Sequence, residues 1–347
     1  MDRDEELALS GLNLSEEEAD ELEAALRRDP DDVDSRLKLL GYLFARNIQD
    51  PALRDRFATH VVWLLEREPG RDIVGTPWCG TAVPDPRFAA ISEAWERILA
   101  RPDVPPEVIF NAAKFYSLLD PTRSRELLMR GERMAPSWPK WAEEQGTDLL
   151  REAGVMRRFQ DPRREPRTKP DTARRFAGRA LEQLNHALSL ESSAGRRLSI
   201  LVKCAEAALG AGKLPEALRY ADEAIAVAAE CPEEPHRHDH LHEAHIVRGC
   251  VAVESGDFVT ARKELLAAGE EGREDSPVLS SFGPDFHLDF LLLERGDRDT
   301  VVAYLDRCAT FWNPKRISRW KAEIERGERP RMTQGYDPHD DEDDDGK

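Results

Sequence analysis

The chain has 347 residues, room for two domains or for one long helical array. Charged residues make up 34% and aromatic residues only 7%, a balance that argues against a β-sandwich. The formal net charge of −18 opposes nucleic acid and anionic lipid unless a local basic patch overrides the field.

Residues 1–14 read as a flexible N-terminus. Ser15, followed by Glu16, Glu17 and Glu18, is an N-cap with acids in the first turn, where the helix dipole favours them. The pattern predicts a helix to about Arg28, stopped at Asp29-Pro30. A second helix follows Asp32 with Leu37, Leu40 and Phe44 as its stripe and Gly41 beside it, a small residue that lets a neighbour approach. Its partner, about 52–68, carries Phe57, Val61, Leu64 and Leu65 and ends at Pro69-Gly70. A Pro/Gly loop over 70–85 holds Trp78-Cys79-Gly80. Further helices are expected at 87–100, at 106–119 with Ile109, Ala112, Ala113 and Tyr116 on one face, and at 122–134. Trp138 and Trp141 open one more, to Ala153, closing a first array over 15–153.

Residues 154–171 change character, with Arg157, Arg158, Arg163, Arg164, Arg167 and Lys169 interleaved with Pro162, Pro166 and Pro170. They read as a basic, Pro-rich linker. A second array over 172–328 starts with a helix at 172–189. Hairpins follow at 194–210 with 214–230, at 239–255 with 257–269, and at 285–295 with 297–310. A capping helix at 315–327 carries Ile317, Trp320 and Ile324. The stretch 329–347 ends in an acidic run that cannot bury apolar surface and is expected to be disordered. No strand pattern stands out, since the β-branched pair Val301-Val302 sits inside a helical period.

Each hairpin of the second array turns on one phrase: Gly212-Lys213-Leu214-Pro215-Glu216-Ala217, Gly256-Asp257-Phe258-Val259-Thr260-Ala261 and Gly296-Asp297-Arg298-Asp299-Thr300-Val301. Leu201, Cys204, Ala205 and Ala208 precede the first glycine, and Ala217, Ala221 and Ala224 follow it. Gly249 and Ala252 precede the second, and Ala261, Leu265 and Ala268 follow. The third copy places Asp289 where the others have a small residue, and Val301 where they have alanine. In the first array, Leu37-Leu40-Gly41-Phe44 and Ile109-Ala112-Ala113-Tyr116 repeat the first-helix pattern, with Leu128, Gly131 and Pro136 in a second helix.

This pattern resembles the tetratricopeptide repeat. The turn glycines lie 44 and then 40 residues apart, against roughly 34 in the regular repeat, so the excess falls in the loops 231–238 and 270–284. The whole chain also resembles divergent bacterial repeat proteins without an assigned activity. The resemblance implies an all-α superhelix, a solenoid in two halves, whose first helices line a concave groove that takes a peptide. On that reading the groove positions are Lys38, Tyr42, Asn111, Lys114, Val202, Glu206, Ile246 and Cys250, with Val253 beside them. Lys38 and Asn111 stand where some members clamp a peptide carboxylate. Tyr42 replaces the Asn expected one turn after Lys38.

Three constellations compete with a purely structural account. His236, His238, His240, His242 and His245 are crowded enough to hold Zn or Ni, with His238, His242 and His245 on one face, but a polar loop entering a helix explains them as well. Cys79 lies in the Pro/Gly loop with His60 on the preceding helix; a catalytic thiol needs such a base, and a packed loop anchor is the alternative. The basic stretch 157–169 offers phosphate contacts to RNA but only Phe159 for stacking, or is a solvated linker that pairs with the acidic run 340–345. Trp63, Trp95, Trp312 and Trp320 fit packing stripes, and Cys204, Cys250 and Cys308 fit as apolar filler.

Five cysteines, none in a C-x-x-C pair, point to a reducing compartment. No signal-like N-terminus and no run of about 18 apolar residues is present, so a cytoplasmic chain without membrane partners is expected. Phosphate-binding, dinucleotide and hydrolase motifs are missing; Gly210-Ala211-Gly212-Lys213 lacks the Ser/Thr of a phosphate loop. The reading is therefore a non-catalytic scaffold for a protein or peptide partner, with no cofactor and no nucleic acid. The alternatives are a metal protein or metal enzyme built on 236–245 and a nucleic-acid factor using 157–169.

Overall fold

A computed structural model describes residues 3–47, 50–80, 86–154, 168–272, 276 and 278–332. The described residues are helical throughout their regular structure, and no strand occurs among them. The chain divides into two compact units, Met1–Trp141 and Ala142–Lys347.

The first unit contains α1 (Arg3–Gly11), α2 (Glu16–Arg28), α3 (Val33–Arg46), α4 (Pro51–Arg67), α5 (Pro86–Leu99), α6 (Pro106–Tyr116) and α7 (Pro121–Met134). Local chemistry sets these ends. The Ser15 hydroxyl accepts the Glu18 amide at 3.2 Å while the Glu18 carboxylate takes the Ser15 amide at 2.8 Å, a reciprocal cap. Asp32 accepts from Ser35 at the start of α3, and proline fills the first turn of α4, α6 and α7, where no amide is needed. Leu37, Leu40, Leu64, Trp95, Ile109, Ala113 and Leu128 share one fully enclosed core.

Within the N-terminal stretch expected to be flexible, residues 3–14 are ordered by α1 and its contacts. The helix α1 lies on α3, and Arg71 donates to both carboxylate oxygens of Asp4 at 2.8 and 2.9 Å. The approach is close enough that a Cβ on Gly41 would sit 1.8 Å from the Ala8 carbonyl oxygen. Acidic residues hid this element in the sequence, because its buried face rests on Ala8 and Gly11 rather than on large apolar side chains. The described part of the next loop, 70–80, is also more regular than expected, with short 3₁₀ turns at Asp72–Gly75 and Pro77–Cys79.

The boundary between units falls inside α8 (Lys140–Ala153) and not at the basic stretch 154–171. Trp141 packs with the first core, but Ala142 and Leu150 belong to the second, and Gly146 faces Leu184. Residues 155–167 lie outside the described residues, and α9 (Pro170–Leu190) begins before the expected end of the linker.

The second unit contains three helical hairpins: α10 (Ala194–Gly210) with α11 (Leu214–Glu230), α12 (Arg237–Glu254) with α13 (Phe258–Glu271), and α15 (His287–Glu294) with α16 (Arg298–Cys308). A four-residue helix α14 (Leu279–Phe282) precedes the third, and α17 (Pro314–Glu325) follows it. All three hairpins turn alike. Gly212, Gly256 and Gly296 have φ of +74°, +79° and +82°, and the next amide returns to a carbonyl five residues back: Lys213 to Ala208, Asp257 to Ala252, Asp297 to Leu292. That backbone closes a helix with a left-handed residue, which glycine adopts without strain. Gly327 repeats the geometry at the end of α17, with φ +86° and the Glu328 amide on the Glu323 carbonyl. Ala205, Ala208, Ala217, Ala221 and Ala224 are fully buried between α10 and α11, and Leu288 packs onto the bare backbone at Gly249.

Candidate functional site

In a stack of hairpins the first helices, α10, α12 and α15, line one face. On α12, Ile246, Cys250 and Val253 recur at intervals of four and three and so share one stripe. All three are buried, and they join a core cluster with Leu293 of α15. Leu209 of α10 packs against that same cluster. Met332 belongs to it too, so a residue from beyond the last helix is built into this core.

The expected groove positions therefore divide. Lys38, Lys114 and Glu206 remain partly exposed. Val202 is fully buried, and Ile246 and Cys250 nearly so, which corrects their placement on an open groove: each sits inside an apolar cluster of the second unit. Tyr42 is buried with the Arg46 guanidinium 4.1 Å from its ring centre. Asn111 is buried as well, and its amide donates to the carbonyls of Pro69 at 3.1 Å and Arg71 at 2.9 Å. It is a loop anchor, not half of a carboxylate clamp.

The histidines do not converge. His238 Nδ1 pairs with Glu271 at 2.8 Å and His245 Nδ1 with Glu264 at 2.7 Å. His242 Nδ1–H donates to the Ala268 carbonyl at 2.9 Å, while its Nε2 accepts the Asp285 amide at 3.1 Å. Both nitrogens of His242 are thus committed in its neutral form, tying α12 to α13 and to the start of the third hairpin. His236 Nδ1 meets Asp239 at 3.0 Å, and the hydrogen bond raises its pKa. The other oxygen of Asp239 accepts from the Ser276 hydroxyl and from the amides of Val278 and Leu279. Burial works to raise the Asp239 pKa, but these bonds outweigh it and the carboxyl is held low. Among the described residues, no three His, Cys, Asp or Glu side chains converge to hold a metal ion.

Cys79 and His60 also fail to make a pair. Burial pushes the Cys79 thiol up, away from the reactive thiolate. His60 accepts from Arg36 on Nδ1 at 2.8 Å and donates from Nε2 to Glu23 at 3.2 Å, and burial pushes its pKa down. Arg36 in turn stacks 3.7 Å from the ring centre of Trp63. Trp95 and Trp320 are fully enclosed, as packing residues are. Cys204, Cys250 and Cys308 are buried thiols outside any disulfide. Most of the basic stretch 157–169 and all of the acidic run 340–345 lie outside the described residues.

The burial of two residues of this unit was not read from the sequence. Met332 sits in a polar, Pro-containing stretch without helical spacing, and only its burial identifies it. Asp289 is fully enclosed, with one carboxylate oxygen on the Phe290 amide and no hydrogen-bond partner for Oδ2. Its place in the repeat, where the other copies carry Ala205 and Gly249, was the available signal.

No helix among the described residues is long and apolar enough to cross a membrane. Neither protein-family models nor curated proteins give a match to this chain.

Proposed function

We propose that this chain is a non-catalytic scaffold of the tetratricopeptide type, acting in the cytoplasm, that holds a protein or peptide partner against the first-helix faces of its hairpins. One observation carries the reading: consecutive hairpins end their first helices in the same left-handed glycine and the same backward hydrogen bond. A repeated turn places successive helices in equivalent positions, and equivalent helices present a repeated surface, which suits an extended partner better than a small substrate. The side chains best equipped for chemistry support the same view. His242 and His60 spend both ring nitrogens on internal partners and His245 its Nδ1, and burial favours the thiol form of Cys79.

The test is photo-crosslinking in the native cell, with the crosslinker at Glu206 or Lys114 and a control at Glu230 on a second helix. The expected result is a discrete protein adduct from the first two sites and none from the control. Indistinguishable patterns from all three sites would sink the proposal.

A further inference from the structure

The chain does not stop at its last helix. Gly327 turns it out of α17, and in the stretch beyond, Pro330 and Met332 are buried while Arg329 and Arg331 are exposed. Burial with a period of two marks an extended segment lying along a surface. Two observations place it. Met332, only 3% exposed, belongs to the apolar cluster that holds Ile246, Cys250, Val253 and Leu293 of the first helices together with residues of α13, α16 and α17. Arg329 Nη1 lies 4.0 Å from Glu294 Oε1, at the end of α15.

Charge fits the same placement. Glu254 and Glu294 each stand two residues before a turn glycine, at equivalent positions in consecutive first helices, and both are exposed. Carboxylates at helix C-termini, where the backbone carbonyls add partial negative charge, attract arginine. The cluster that takes Met332 suits an unbranched side chain such as methionine, which adapts to irregular gaps.

We propose that residues 328–332 are a resident ligand on the first-helix face of the second unit, and that the partner is an extended peptide of the same chemistry, arginine alternating with apolar residues, which displaces them. This rests on the scaffold reading and names both its partner class and its internal competitor. Unlike α17, whose Ile317, Trp320 and Ile324 anchor it, the segment holds the core through few side chains, so its release leaves the hairpins in place.

The probe is a fluorescent peptide carrying residues 326–332, titrated against the full chain and against full-length Met332→Asp. A charge buried in the cluster ejects the segment, so Met332→Asp should bind the peptide at least tenfold more tightly than the unaltered chain, and trypsin should cut after Arg331 correspondingly faster. Arg329→Glu, at an exposed position, should give a smaller gain of a few-fold in both readouts. A peptide with Met332 replaced by Asp should bind neither chain.

Equal peptide affinity for the two chains, with the helical circular-dichroism signal intact, overturns the proposal. Loss of the helical signal in Met332→Asp overturns it as well, since the segment would then be core rather than ligand. The crosslinking experiment separates the two readings. A partner captured equally by the unaltered and Met332→Asp chains leaves the scaffold standing and removes the competitor. Should neither chain capture a partner, the scaffold reading falls, while the peptide affinities still decide for or against the resident ligand.

Discussion

Asp289 is the residue at which the repeat pattern and the physics disagree. The first two hairpins carry Ala205 and Gly249 at that place, and the third buries a carboxyl group there. Burial, reinforced by the nearby carboxylate of Asp285, raises its pKa well above the ordinary range. In the unfolded chain it titrates near about 4. A raised folded pKa means that its contribution is most favourable below that value and is lost progressively as pH rises toward the folded pKa. Asp289→Ala should therefore stabilise the second unit by about 1–3 kcal/mol, the typical cost of an unsatisfied buried polar group. The gain should be larger at pH 8 than at pH 5 in urea titrations. A constant difference across that range would show that the carboxyl keeps an ordinary pKa. The sequence made Asp289 visible as an exception but could not say whether it faced solvent, because helical spacing places it on a face without saying what lies opposite.

At the level of helices, close approach decides more than side-chain size. Gly41 admits the Ala8 carbonyl, and Leu288 fills the space over Gly249. Gly41→Ala forces α1 away from α3 and should cost roughly 1–3 kcal/mol, the usual range for overpacking. Hydrogen exchange should then quicken over Leu7–Gly11 while α5–α7 keep their protection. Unchanged exchange in α1 would refute this packing. Most helices were legible because their stripes use Leu, Ile, Val and Trp and their ends use Pro, Gly, Ser or Asp. The α1 helix was not, since its contact is backbone against backbone and leaves no periodic apolar signal. The face of the first helices was legible in position but not in accessibility. Spacing put Ile246 and Cys250 on it, yet Met332, which shares their cluster, follows the last helix by a stretch with no pattern.

For the molecule as a whole, the division within α8 is more telling than the change of composition after it. Ala142, Leu150 and the Gly146–Leu184 contact make the rest of α8 a wall of the second unit. A fragment beginning at residue 155 loses that wall and exposes Ala180, Leu181 and Leu184, which are buried in the full chain. It should aggregate or bind a hydrophobic dye, while a fragment beginning at residue 140 stays soluble with a cooperative melt. Equal behaviour of the two would place the true boundary after α8. The turn glycines carry a different implication. Gly212 and Gly256 have nearly the same φ, +74° and +79°, and each is followed by the residue at the N-cap position of the next helix. Excising residues 213–256 would splice Gly212 directly to Asp257, a glycine and an N-cap residue whose φ angles nearly match those of the residues they replace. Interchangeable seams of this kind let the length of such a chain drift over generations in whole modules, each deletion or duplication arriving ready to fold.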